Sequence, residues 1–189
     1  MVGRPEHSGN GYDRAVTVGG TRALDLIIRA GVAYRLHSYE LPERHGRQRD
    51  DRPSYGADAA TAQGVSPDRV HKTLVASVDG RLVLALVPVD RELDMKRLAD
   101  AVGGRRAVMA EPIEAERATG FVVGGISPLG SRRALPVVID VSAMSHETVL
   151  VSAGRRGLQV ELAPAALVRL CRAHLAPISR DKAASDRRR

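Results

Sequence analysis

The chain has little of several things, and each shortage excludes something. One cysteine in 189 residues, Cys171, can close no internal disulfide and build no thiolate metal site, so the fold rests on burial and a reducing cytoplasm is the expected setting. There is no tryptophan, one phenylalanine and four tyrosines. That set is too small for the platform of exposed rings on which single-strand binders stack bases, so any RNA partner is met through phosphates and shape. No apolar run approaches the ~18 residues of a spanning helix, and the N-terminus lacks the apolar segment that drives secretion, so no membrane role is expected. Lysine is scarce as well: three lysines stand beside 26 arginines.

What is present is ordinary for a globular protein. Apolar residues make up 43% and charged residues 27%, and the length suits one domain. The net charge of +7 and pI near 10.3 point toward polyanions. Five basic and two acidic side chains lie in residues 180–189 (RDKAASDRRR), so part of the excess belongs to a tail and the body is only mildly basic. The division expected is a flexible lead-in over 1–20, rich in Gly and polar residues, one domain over 21–180, and a basic tail over 181–189.

Within the domain the periods change along the chain. Thr21 caps a helix with Leu24, Ile27 and Ile28 at helical spacing and Gly31 as its stop. Tyr34–Tyr39 alternates as a strand, Leu41–Pro53 is a charged loop, and a helix over Tyr55–Gln63 stops at Gly64. Ser66-Pro67 reads as a cap and first-turn pair. The runs Thr73–Val78 and Leu82–Val87 flank Asp79-Gly80, a hairpin signal that places these strands at the centre of a sheet. Asp94 opens a helix to Val102 and Pro112 opens another to Gly120, both expected to cover one sheet face. Strands are predicted over Phe121–Val123, Val137–Asp140, Val149–Ser152 and Leu158–Leu162, then a helix from Pro164 to about Arg172 with Leu167, Leu170 and Cys171 on one side. This irregular interleaving favours an α/β or α+β single domain on a mixed sheet.

The search for chemistry begins with failures. The six histidines lie far apart without ligand spacing, so neither a metal nor a cofactor is expected, and neither a P-loop nor a dinucleotide fingerprint occurs. Ser127, Ser152, His146 and Asp140 form a triad only on paper. Three features stand out. Lys72 opens the central hairpin in a chain that otherwise uses arginine, which suggests a need for a compact ammonium, although a solvated edge lysine would look the same. Gly124-Gly125, in GGISPLG, lets backbone amides approach a ligand and hold an oxyanion, or is a plain turn. Ser152-Ala153-Gly154-Arg155-Arg156-Gly157 ends a strand in a small-residue loop with two guanidinium groups. Like Arg132-Arg133 and Arg105-Arg106, that pair is suited to phosphates or to solvent.

Together the segments LHSYE (36–40), HKTL (71–74), ATGFVVGGISPLG (118–130) and VSAGRRGL (151–158) resemble the YbaK/EbsC family of bacterial Cys-tRNA(Pro) deacylases, related to the editing domain of bacterial prolyl-tRNA synthetases. The resemblance runs from about Thr21 to Arg180. It implies a mixed, mostly antiparallel, partly barrel-like sheet with surrounding helices, no metal, and a site for the aminoacylated 3′ end of tRNA, with prolyl-tRNA synthetase as a further candidate partner. By position, the family's essential lysine falls on Lys72, its pocket tyrosine on Tyr39, its backbone-donating glycine on Gly124 and its pocket serine on Ser152. Thr73, Gly125, Ser127 and Gly154 join the substrate-binding set as neighbours in the same motifs. The segment after Glu40 departs from the family's short His-Asp-Pro link.

The resemblance also implies that the substrate cysteine's own thiol attacks its ester, which would account for the missing side-chain nucleophile. Two other readings stay open. One is a deacylase for a different small amino acid. The other is a non-catalytic tRNA-binding or synthetase-binding module, against which Lys72 and the glycine motifs argue, since phosphate binding needs neither.

Overall fold

The computed structural model describes residues 20–40, 60 and 64–182. The expected lead-in except Gly20, all of the charged loop 41–53, the helix expected over Tyr55–Gln63 except Ala60, and the last residues of the tail lie outside the described set. Helix α1 (Arg22–Arg29) starts where expected, with the Thr21 hydroxyl accepting the Leu24 N–H at 3.2 Å, a cap worth about 1 kcal/mol. Ala23, Leu24 and Ile27 are its buried stripe. Strand β1 (Arg35–Ser38) follows, then a 3-10 turn (Pro67–Arg69), β2 (His71–Val78), β3 (Arg81–Pro88) and β4 (Arg91–Leu93). The β2–β3 turn, Asp79-Gly80, has φ of +48° and +83°, the type I′ geometry that matches strand twist. Next come α2 (Met95–Ala101), β5 (Ala107–Met109), α3 (Pro112–Thr119), β6 (Val137–Asp140) and a 3-10 segment (Val141–Ser145). The chain continues through β7 (Val149–Ser152), β8 (Leu158–Leu162), α4 (Pro164–Cys171), β9 (His174–Ala176) and β10 (Ser179–Asp181).

This is a mixed α+β single domain. A five-stranded sheet runs β5-β2-β3-β6-β9, with β2 antiparallel to β3 and β5, and β6 parallel to β3 and β9. A three-stranded antiparallel sheet runs β1-β8-β7, and β4 pairs with β10. A parallel bridge between Val70 and Leu150 joins the first two sheets. Alternation along β3 divides the interior. Leu82, Leu84 and Leu86 enter a principal core with α1, α3, α4, β7 and β8, while Val83, Ala85 and Val87 face a second core with α2.

Two expectations are corrected. The helices opened by Asp94 and Pro112 lie on opposite faces, since Leu98 and Ala99 of α2 pack in the second core and Ala115 and Ala118 of α3 in the first. β3 is buried on both faces, so its two faces cannot be told apart by polarity. Phe121–Val123 is no strand. Phe121 is buried, Val122 and Val123 are exposed, and the Gly125 N–H turns back to the Val122 carbonyl at 2.9 Å. Four three-residue strands, β4, β5, β9 and β10, went unread, and β10 extends pairing to Asp181.

Candidate active site

Of the candidate residues on strands, Lys72 and Ser152 lie on one face by register and Thr73 does not. Val70 and Leu150, joined by the bridge, pack with Ala60 and Val89 in a small cluster away from the principal core. Lys72 follows Val70 by two residues and Ser152 follows Leu150 by two, so both extend the same face. Across β7–β8 Ser152 stands opposite Gln159, and across β1–β8 Gln159 stands opposite His37. Tyr39 continues β1 two residues beyond His37, its N–H bonded to the Gly157 carbonyl at 3.0 Å. Thr73 alternates to the other side, paired with Leu86 of the principal core, and its Oγ1 is buried without a hydrogen-bond partner.

Beside this face two loops interlock. A Cβ on Gly125 would lie 2.8 Å from the Arg155 carbonyl carbon and the Arg156 nitrogen, and one on Gly154 would lie 2.8 Å from the Phe121 ring. Only glycine permits these approaches. Arg156 Nε donates to the Val123 carbonyl at 2.8 Å, and the Thr21 hydroxyl donates to the Ala153 carbonyl. Arg22 fastens the far side, donating to the carbonyls of Gly130, Thr119 and Gly120 at 2.8 to 2.9 Å with its guanidinium 4.6 Å over Phe121. Gly124 sits in this clasp at φ +88°, and among the described residues no acceptor takes its N–H. A pinned, partly exposed amide of that kind can hold a developing oxyanion.

Lys72 is half-buried, and its Nζ donates to the Arg91 carbonyl at 2.6 Å, leaving two N–H groups for other acceptors. Burial pushes its pKa below the ordinary value and nearby Lys182 adds to this, while Glu92 and Asp90 oppose it. Ser127 is fully buried, its Oγ accepting the Leu129 N–H at 3.2 Å, and it supports the loop from beneath. Ser152 Oγ accepts the Gly154 N–H at 3.4 Å.

No serine triad is assembled. Asp140 binds Ser142 and Ser179, and His146 lies 3.8 Å from Asp68. The pair His37–Glu161, at 2.8 Å, does share the site face, but His37 Nε2 is taken by Glu161 and the hydrogen bond recorded at Ser152 Oγ comes from the Gly154 N–H. Burial pushes the Cys171 thiol up to about 12, and its Sγ faces the Pro128 carbonyl, so it is no nucleophile. Among the described residues no three His, Cys, Asp or Glu side chains converge as a metal site would need, and no helix is long and apolar enough to cross a membrane. Sequence reasoning missed Gln159 and Glu161, both buried on the site face. Their alternation with Leu158, Val160 and Leu162 was the available signal.

The fold is that of a small α+β domain, and its candidate site brings a lysine and a free backbone amide together with no activated side-chain nucleophile among the described residues. A solved structure provisionally described as a trans-editing enzyme for prolyl tRNA synthetase shares the fold, with a TM-score of 0.71 and 24% identity over 84% of this chain and 95% of that one. The chain belongs to the aminoacyl-tRNA editing domain family, the YbaK family, whose model matches residues 53–170. An Enterococcus faecalis protein provisionally named Cys-tRNA(Pro)/Cys-tRNA(Cys) deacylase EbsC is 32% identical over 84% of this chain and 93% of its own. The Multifunctional Ser/Thr-tRNA deacylase ProXp-y of Escherichia coli K12 is 32% identical over 63% of this chain and 67% of its own. At that level the activity is aminoacyl-tRNA deacylation.

Proposed function

We propose that the protein removes cysteine from mischarged Cys-tRNA(Pro), acting in trans, and that the substrate thiol is the nucleophile. The observation that carries this reading is the unaccepted Gly124 N–H beside a face with no activated serine, cysteine or metal cluster among the described residues. The ester carbonyl oxygen takes the Gly124 amide, and Lys72 offers its remaining N–H groups to the developing charge. Tyr39 and Ser152 border the aminoacyl group, whereas Thr73 faces the principal core behind β2; Gly125 and Gly154 keep the loops closed, and Ser127 holds the GGISPLG turn from below. The cysteinyl sulfur then bonds to the ester carbon, the bond to the ribose oxygen breaks, and the thiol proton passes to that oxygen. Water opens the resulting cyclic thioester. Orientation is the main contribution asked of the protein.

Arg155 is exposed beside the glycine clasp, and Arg132 comes close to Gly120, where a Cβ would lie 3.2 Å from its Nε. These guanidinium groups are placed to take acceptor-stem phosphates. Kinship with a trans-editing fold for prolyl-tRNA synthetase supports that synthetase as a partner. A second reading, deacylation of Ser- or Thr-tRNA, is favoured by the equal identity to ProXp-y, though over a shorter stretch than EbsC.

Single-turnover deacylation of Cys-tRNA, Ser-tRNA and Cys-tRNA with an alkylated thiol separates the two. Thiol assistance predicts fast loss of cysteine only, because a thiol ionises near neutral pH far more readily than a hydroxyl. Comparable rates for all three would refute it and favour an activated water. Cys171→Ala should leave every rate unchanged.

A further inference from the structure

Glu161 takes no part in the chemistry just described, yet it is 8% exposed and its carboxylate meets three other segments of the chain. Oε2 accepts His37 Nε2 of β1 at 2.8 Å. Oε1 accepts Arg69 Nη2, just before β2, at 2.9 Å and the Thr148 hydroxyl, just before β7, at 2.5 Å. Arg69 Nη2 also donates to that hydroxyl, and Arg69 Nε to the Thr148 carbonyl at 3.2 Å. Each segment leads to a site residue: Tyr39 lies two residues beyond His37, Lys72 three beyond Arg69, Ser152 four beyond Thr148, and Gln159 two before Glu161 itself. All of these strand positions except Tyr39, which continues β1, are fixed by the register of β1-β8-β7 and by the bridge to β2.

Burial alone would raise the Glu161 carboxyl, but the hydrogen bonds from Thr148 and His37 and the charges of His37 and Arg69 outweigh it and hold the group below its ordinary value. A buried ion pair is a poor source of net stability, because desolvation offsets the attraction. What three converging donors on one carboxylate supply is fixed geometry. An amide removes the charge that Arg69 faces, and its NH2 can meet His37 only if the imidazole switches to accepting at Nε2.

We propose that Glu161 is a positioning residue: an anchor that sets the spacing of the four segments carrying Tyr39, Lys72, Ser152 and Gln159, and so holds the ester in line for cleavage. The assignment rests on the deacylase reading of this face. Misplacement of a reacting group by about 1 Å costs on the order of 10²-fold in rate, so the effect belongs in kcat and not in tRNA affinity.

The test uses the full chain with Glu161→Gln, Glu161→Asp and Thr148→Val. For Glu161→Gln the single-turnover rate on Cys-tRNA should fall by about 10- to 100-fold, with the half-saturating enzyme concentration within about threefold of wild type. Thr148→Val, which removes one donor, should fall between, and Glu161→Asp should recover part of the rate. A second readout needs no turnover. Reductive 13C-methylation labels the three lysines, Lys72, Lys96 and Lys182, with Lys96→Arg and Lys182→Arg assigning the signals. Lys72, which faces Lys182, Glu92 and Asp90, should titrate below its ordinary value in the wild type and move up toward that value in Glu161→Gln as its segment loosens.

A Glu161→Gln rate within twofold of wild type, or a Lys72 titration that does not move, would overturn the proposal. If Glu161→Gln does not fold, Thr148→Val decides by the same two readouts. If the wild type releases no amino acid from any tRNA, the functional reading falls, and the lysine titration still judges the anchor.

Discussion

Gly103-Gly104-Arg105-Arg106 and Gly154-Arg155-Arg156-Gly157 spell nearly the same pattern and come to opposite ends. In the first, the Asp79 carboxylate accepts the Arg105 and Arg106 N–H groups at 2.7 and 3.1 Å, and the Asp79 N–H returns to the Arg106 carbonyl at 3.0 Å. The loop is closed on itself. In the second, the backbone presses against Gly125 and leaves two exposed arginines beside the unaccepted Gly124 amide. Glycine and arginine do not make an anion site by themselves. The outcome depends on whether a carboxylate of the protein has already taken the amides.

The sharpest way to break this contrast is Lys72→Ala, which should fold yet lose about 10²-fold or more in deacylation rate. Lys72→Arg should not restore it, because a planar fork places charge differently. An arginine variant with near wild-type turnover would put the ammonium elsewhere than the site. Next comes Gly125→Ala. Its Cβ would meet backbone at 2.8 Å, so the clasp must open, and both melting temperature and rate should fall. Gly104→Ala, whose Cβ would lie 2.3 Å from Val78 Cγ1, should cost about 1–3 kcal/mol in a denaturant titration while sparing the rate of the folded fraction.

A smaller effect separates the arginine pairs. Arg155→Ala should raise KM severalfold and flatten the salt dependence of tRNA binding, whereas Arg105→Ala with Arg106→Ala should change neither. Equal losses from both would erase the distinction between the loops.

The smallest effect concerns acid. Asp140 and Glu161 are both held below their ordinary values, burial being outweighed by hydrogen bonds from Ser142 and Ser179 in one case and from Thr148 and His37 in the other. A depressed carboxyl contributes stability that is present above its unfolded-state value and lost as pH falls through the folded one. Unfolding free energy should therefore decline as pH drops below the ordinary carboxylate range near 4, and Asp140→Asn should flatten part of that decline.

The elements with local signatures were legible. The Thr21 cap, the Asp79-Gly80 turn and the prolines opening α3 and α4 act within a few residues of themselves. Phe121–Val123 misled because β-branched and aromatic residues look strand-like wherever they fall, whereas here Phe121 is a plug under Arg22 and the two valines are a turn. The strands β4, β5, β9 and β10 are three residues each and exist by virtue of distant partners. The resemblance supplied Lys72, Tyr39, Gly124 and Ser152 by position. The alternation LQVEL puts Gln159 and Glu161 on one face of β8, but what that face meets depends on pairing with β1 and β7, which no local pattern carries.

The clasp also bears on the order in which the molecule can be built. The β2–β3 hairpin closes over two residues, but the Thr21–Ala153 and His37–Glu161 contacts span 132 and 124 residues of sequence. The entropy of closing such long loops is lost before their contacts offset it. A nascent chain can thus form its central hairpin early, while the candidate face waits for β7 and β8 to emerge and for the N-terminal helix to return to them. Competence for editing then arrives only with the last third of the polypeptide.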